Sequence, residues 1–122
     1  MNNSMNLRLG FISEGKLLVK FAFVPGQASE IVVGRSSNSQ ICINNNVISG
    51  QHAQFIFDQN NNFFVIDLNS SNGTFLNDKR IESGVPYGIQ STDRLCLSSN
   101  SGIELVFNPD SYQMAKVNRQ SI

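Results

Sequence analysis

What most constrains this chain is its punctuation: short apolar or alternating runs recur along nearly its whole length, and Gly, Pro, Ser, Asn or Asp closes almost every one. Leu7-Arg-Leu-Gly-Phe-Ile12 and Leu17-Leu-Val-Lys-Phe-Ala-Phe23 flank the turn Ser13-Glu-Gly15 and read as a hairpin. Pro25-Gly26 breaks the run. Ile31-Val-Val33 is a short β-branched strand ending at Gly34-Arg35, and the polar Ser36–Ser39 loop separates it from Ile41-Cys-Ile43. Ala53-Gln-Phe-Ile-Phe57 and Phe63-Phe-Val-Ile-Asp67 pair across Asp58–Asn62. Thr74-Phe-Leu76 and Lys79-Arg-Ile81 flank Asn77-Asp78, a tight-turn dipeptide, and Asp93–Leu97 with Ile103–Phe107 makes a last hairpin. No window of about ten residues before Asp110 shows a helical period with caps. Short strands with turn residues between them predict an all-β sandwich.

The chain has 122 residues, enough for one domain with a core that needs no metal or disulfide. Nine Lys and Arg balance nine Asp and Glu. That balance argues against a broad nucleic-acid binder, which needs a basic field, so any anion recognition must be local. Runs such as Phe63-Phe-Val-Ile66 are too short to span a bilayer, and Met1–Asn6 lacks a signal-peptide pattern, so a cytoplasmic protein without membrane insertion is expected. Cys42 and Cys96 lie inside apolar runs and are expected to be buried thiols. With a single histidine they cannot complete a tetrahedral metal site, and no metal or cofactor is expected. Residues 1–4 are read as a disordered start, 5–108 as the folded domain, and 109–122 as a flexible tail or linker.

The stretch with the most chemical content is Asp67-Leu-Asn-Ser-Ser-Asn-Gly-Thr-Phe-Leu-Asn77. Ser70, Ser71, Asn72 and Thr74 offer hydroxyl and amide donors, and Gly73 permits positive φ, so the loop could hold an oxyanion. Upstream, Arg35 leaves a strand end where its guanidinium can grip a phosphate through two charge-assisted bonds. Ser49 ends a loop, and His52 follows it at a strand start. Each has an ordinary reading alone: a hairpin turn, a solvated arginine, a turn cap, a hydrogen-bonded structural histidine.

The ordered set carries more than its members. Gly34-Arg35, then Ser49-x-x-His52, then Asp67-x-x-Ser-x-Asn-Gly-Thr-x-x-Asn77 resembles the forkhead-associated (FHA) domain family over about Met5 to Phe107. The resemblance implies an eleven-stranded β-sandwich with binding loops at one end, which takes phosphothreonine peptides and catalyses nothing. It further implies that Arg35, Ser49 and Ser71 contact the phosphate and that Asn72 holds the peptide backbone. Gly34, His52, Gly73 and Asn77 would shape or brace the loops. Two positions depart from the family pattern. Gly50 stands where a polar or basic side chain often adds a phosphate contact, and Asn69 replaces a frequent glycine, a change asparagine tolerates because it accepts the left-handed conformation.

The leading expectation is therefore a phosphothreonine-dependent, monomeric protein-binding module whose partners are phosphorylated by a Ser/Thr kinase in the same cell. The alternative is an FHA-fold interaction or assembly domain whose binding does not depend on phosphate. An enzyme is disfavoured, because no Ser/His/Asp, Cys/His or paired-carboxylate arrangement converges in the loops. The loop side chains Asn45, Asn46, Val47 and Gln51 are uncharged, which predicts polar or apolar neighbours around the phosphothreonine.

Overall fold

The computed structural model describes residues 7–114, and eleven strands form within them. They are β1 (Leu7–Ser13), β2 (Lys16–Phe23), β3 (Ser29–Gly34), β4 (Ile41–Cys42), β5 (Ala53–Phe57), β6 (Phe63–Asp67), β7 (Thr74–Leu76), β8 (Lys79–Arg80), β9 (Tyr87–Gly88), β10 (Leu95–Leu97) and β11 (Ile103–Phe107). A six-stranded sheet runs β2-β1-β11-β10-β7-β8 and a five-stranded sheet runs β4-β3-β5-β6-β9. The expected all-β sandwich is the fold, with one 3-10 turn among the described residues, at Pro109–Ser111.

The alternation that marked the strands is the alternation of their burial. In β5, Ala53, Phe55 and Phe57 point inward while Gln54 and Ile56 are half-buried, and β6 repeats this with Phe63, Val65 and Asp67 inward. Asp67 is thus a carboxylate placed by register on the core side. Phe23 stacks on Phe57 at 5.2 Å and Phe55 on Phe63 at 5.6 Å, so aromatic rings from both sheets fill the centre of the sandwich. Offset ring contacts of this kind add to the large apolar area each ring buries.

Turn chemistry matches the sequence closely. Asn77 and Asp78 both take positive φ, 51° and 71°, as a two-residue hairpin between β7 and β8 requires. Asn69 is left-handed at φ 59°, the conformation its substitution for glycine was expected to tolerate. The two-residue strand β9 has no apolar period to announce it. It forms because β6 offers it a free edge.

Cys96 is buried, but Cys42 is exposed, which corrects the expectation of two buried thiols. β4 is a two-residue edge strand, so Ile41 and Ile43 turn inward and the residue between them turns out. Neither cysteine is in a disulfide.

After β11 the chain stays against the first sheet. Pro109 is buried, Asp110 pairs with Arg8, and the Leu17 N–H donates to the Gln113 carbonyl at 2.8 Å. The rest of the expected tail and the expected disordered start lie outside the described residues.

Candidate functional site

At one end of the sandwich three loops meet: residues 35–40 after β3, residues 43–52 between β4 and β5, and residues 68–73 between β6 and β7. The first is shaped by an unusual pairing. β4 runs parallel to β3, so the chain must double back within residues 35–40, and this return carries Arg35 to the rim. Backbone bonds lock it to the second loop, from Arg35 N–H to the Ser49 carbonyl at 2.9 Å and from Ser36 N–H to the Gly50 carbonyl at 3.0 Å. Gly34 makes this approach possible. A Cβ there would lie 2.1 Å from the Gly50 carbonyl oxygen, inside any permitted contact.

Arg35 is exposed, and its Nε donates to the Ile48 carbonyl at 3.0 Å. That bond uses the inward donor and fixes the guanidinium plane, leaving its terminal nitrogens with no acceptor among the described residues. Ser49 Oγ accepts the Ser71 N–H at 2.9 Å, which ties the second loop to the third and leaves the Ser49 hydroxyl proton available. Asn72 Nδ2 donates to the Val47 carbonyl at 2.8 Å, a second strap between the same loops. Its Oδ1 and remaining amide hydrogen are uncommitted among the described residues. Ser71 is exposed beside it.

Beneath the rim His52 is fully buried and bridges both loops. Its Nδ1 accepts the Ser49 N–H at 3.1 Å, so the ring proton belongs on Nε2, 2.8 Å from the Gly73 carbonyl. Burial lowers its pKa, outweighing the Gly73 carbonyl and the Asp67 charge, which both raise it. His52 is therefore a neutral brace. Gly73 itself takes φ 93°, and the stem of Arg80 packs against the place its side chain would occupy.

The third loop hangs from Asp67. Ser70 N–H and Oγ, Thr74 Oγ1 and Ser83 Oγ all donate to its two carboxylate oxygens, and Ser70 Oγ in turn accepts the Gly73 N–H. Burial works to raise the Asp67 pKa, but the bonds from Ser70, Ser83 and Thr74 together hold it below the usual carboxylate value. No role was assigned to Asp67 from sequence. Its signal was present, since Asp followed three residues later by Ser is the spacing at which a carboxylate closes its own turn.

The structure thus brings Arg35, Ser49, Ser71, Asn72, Gly34, His52 and Gly73 into one cluster. Asn77 is not among them. It sits at the far end of β7, where its side chain binds Asp93 Oδ1 and the Arg94 N–H and ties the β7–β8 turn to β10. Arg80 lies outside the motif, yet it reaches the third loop, with Nη2 3.5 Å from the Ser70 carbonyl. It follows the motif by only three residues, on the second arm of the β7–β8 hairpin, which folds it back. Among the described residues no cluster of His, Cys, Asp and Glu could hold a metal, and no helix is long and apolar enough to cross a membrane.

A family model of the FHA domain matches residues 31–98, and the chain belongs to that family. FHA domains are protein-interaction modules, generally without enzymatic activity. The probable E3 ubiquitin-protein ligase dma1 of Schizosaccharomyces pombe is 39% identical over 66 residues, covering 51% of this chain and 24% of that protein. The chain thus spans about a quarter of the length of the curated relative it matches. The FHA domain of an Arabidopsis thaliana hypothetical protein superposes with a TM-score of 0.68 at 26% identity, over 98% of both chains. A structure from a study of phosphothreonine-dependent FHA domain interactions shares the fold with a TM-score of 0.64 at 18% identity, over 93% of this chain and all of the other. These neighbours show that the chain has the fold of the FHA domain.

Proposed function

We propose that this domain binds phosphothreonine-containing segments of partner proteins, with Arg35, Ser49 and Ser71 taking the phosphate and Asn72 holding the peptide backbone. The observation that carries this reading is that Arg35 has no carboxylate partner among the described residues while the Ser49 and Ser71 loops are strapped together beside it. A dianionic phosphate would complete the guanidinium and the free hydroxyls. Preorganisation matters here. The straps between the loops are already formed, so little ordering cost accompanies binding. The neighbour from the study of phosphothreonine-dependent interactions supports the same chemistry on the same fold.

Gly34, His52 and Gly73 act as braces in this reading. The partner is modified by a Ser/Thr kinase in the same cell, and the domain works as a cytoplasmic monomer without a cofactor. Gly50 adds no side chain to the phosphate, so its contribution is limited to its backbone.

Fluorescence anisotropy with a degenerate phosphothreonine library, a phosphoserine library and an unphosphorylated control tests this at near-physiological salt. One charge-assisted contact corresponds to a loss of about ten- to a hundredfold in affinity for Arg35→Ala. Binding that ignores the phosphate would favour the phosphate-independent interaction domain instead, and phosphate-dependent binding that survives Arg35→Ala would overturn the role given to Arg35.

A further inference from the structure

The four described arginines divide into two pairs. Arg8 is ion-paired with Asp110, and Arg94 lies 2.6 Å from Asp78 and 3.8 Å from Glu104. Arg35 and Arg80 have no carboxylate partner among the described residues; Arg80 reaches the Ser70 carbonyl of the loop that carries Ser71 and Asn72, and Arg35 is bonded to the 43–52 loop to which that loop is strapped. In a chain whose formal charge sums to zero, these are two cations without an ion-pair partner among the described residues, on loops that are tied together.

We propose that Arg80 forms a second anion subsite, which selects partner segments carrying a carboxylate or a second phosphate within about two to four residues of the phosphothreonine. The proposal rests on the phosphopeptide reading above. Its geometry comes from one peptide unit. The Ser70 carbonyl accepts from Arg80 Nη2 at 3.5 Å, while the N–H of the same unit, on Ser71, donates to Ser49 Oγ at 2.9 Å. In a trans peptide these two groups point to opposite sides of the chain, so Ser49 and Arg80 flank the loop from either side. Bond lengths across the unit put the Arg80 guanidinium within about 9 Å of the Ser49 hydroxyl. An extended peptide advances about 3.3 Å per residue, which sets the reach stated above.

Arg80 is also held in place. Its Nε, Cζ and Cδ lie 2.7–3.1 Å from where a Cβ on Gly73 would be, so the glycine makes room for the side chain to cross the loop. The contact to Ser70 is long and occupies one of five N–H donors, leaving the others for a ligand. This revises the expectation of uncharged preference, because the cation comes from β8 and not from the loop that carries Asn45, Asn46, Val47 and Gln51.

The test uses a phosphothreonine peptide with alanine at all flanking positions. Aspartate is scanned through the four positions on each side, and a second series places a second phosphothreonine instead, which separates carboxylate from phosphate as the source of charge. Wild type, Arg80→Ala, Arg80→Gln, Arg80→Lys and the charge-matched control Lys20→Ala on β2 are compared by anisotropy. The expected result is a gain of about five- to tenfold at one or two positions, retained in Lys20→Ala, retained in part in Arg80→Lys, and absent in Arg80→Ala and Arg80→Gln. A flat scan with binding of the plain phosphopeptide intact would overturn the subsite and leave the phosphopeptide reading standing. Equal loss of all peptides in Arg80→Gln would make Arg80 a loop brace and also overturn it. No phosphate-dependent binding in wild type would overturn both.

Discussion

Gly34 shows how much of the site depends on an atom that is absent. Its missing Cβ lets the Gly50 carbonyl approach and accept the Ser36 N–H and the Ser39 hydroxyl, and that packing accompanies the backbone bond from the Arg35 N–H to the Ser49 carbonyl. Gly34→Ala would force two backbone segments apart, since no flexible side chain can yield at a 2.1 Å contact. The expected cost is about 1–3 kcal/mol in urea denaturation, typical of overpacking, together with loss of phosphopeptide binding. Gly50→Ala has open space around its Cβ and should leave stability within about 0.5 kcal/mol, which makes it the matched control. The first block of the motif was readable as a strand-end glycine and arginine. That the glycine answers to Gly50 was not, because the contact joins residues whose approach depends on β3 and β4 running parallel.

Among the elements, the 68–73 loop behaves as a unit suspended from the end of β6. Asp67 accepts from Ser70, Thr74 and Ser83, so removing the carboxylate orphans several buried donors at once, whereas removing one hydroxyl leaves the rest in place. Asp67→Ala is expected to cost about 3 kcal/mol or more and Ser83→Ala about 1 kcal/mol, read from urea midpoints. Asp67→Ala should also weaken phosphopeptide binding, because Ser71 and Asn72 sit on the loop it holds. A loss of binding in Ser83→Ala as large as in Asp67→Ala would contradict this suspension. The loop's turn residues were evident from composition, and their anchor followed from the alternation that puts Asp67 on the inward face of β6. The place of Arg80 was not legible: Asn77-Asp78 announced the hairpin, but no local pattern shows that its second arm lies against the loop preceding β7.

Across the whole molecule, the buried polar groups under the rim tie folding to pH. His52 has a folded pKa below its ordinary value of 6.5, so its neutral form stabilises the fold fully above that value, and the contribution is lost as pH falls below it toward the folded pKa. Asp67 is likewise lowered from 3.8, so its contribution is present above that value and is lost only in more acid solution. Urea midpoints should therefore decline in two stages as pH falls, the first with a slope of no more than about one proton and flattened in His52→Gln. A wild-type midpoint unchanged between pH 8 and 5 would sink the assignment of His52 as a buried neutral brace. What the sequence by itself determined was the set of local alternatives: where strands could run, where turns must fall, and which residue types could meet an anion. These depend on short-range sterics and on periodicity, which neighbouring residues carry between them. Only the tertiary structure decided that Cys42 faces outward, that Asn77 braces the far end of β7, and that Arg80 joins the rim. The first depends on β4 being covered on one face only, the others on which segments the β7–β8 hairpin packs against, and neither relation is carried by a local pattern.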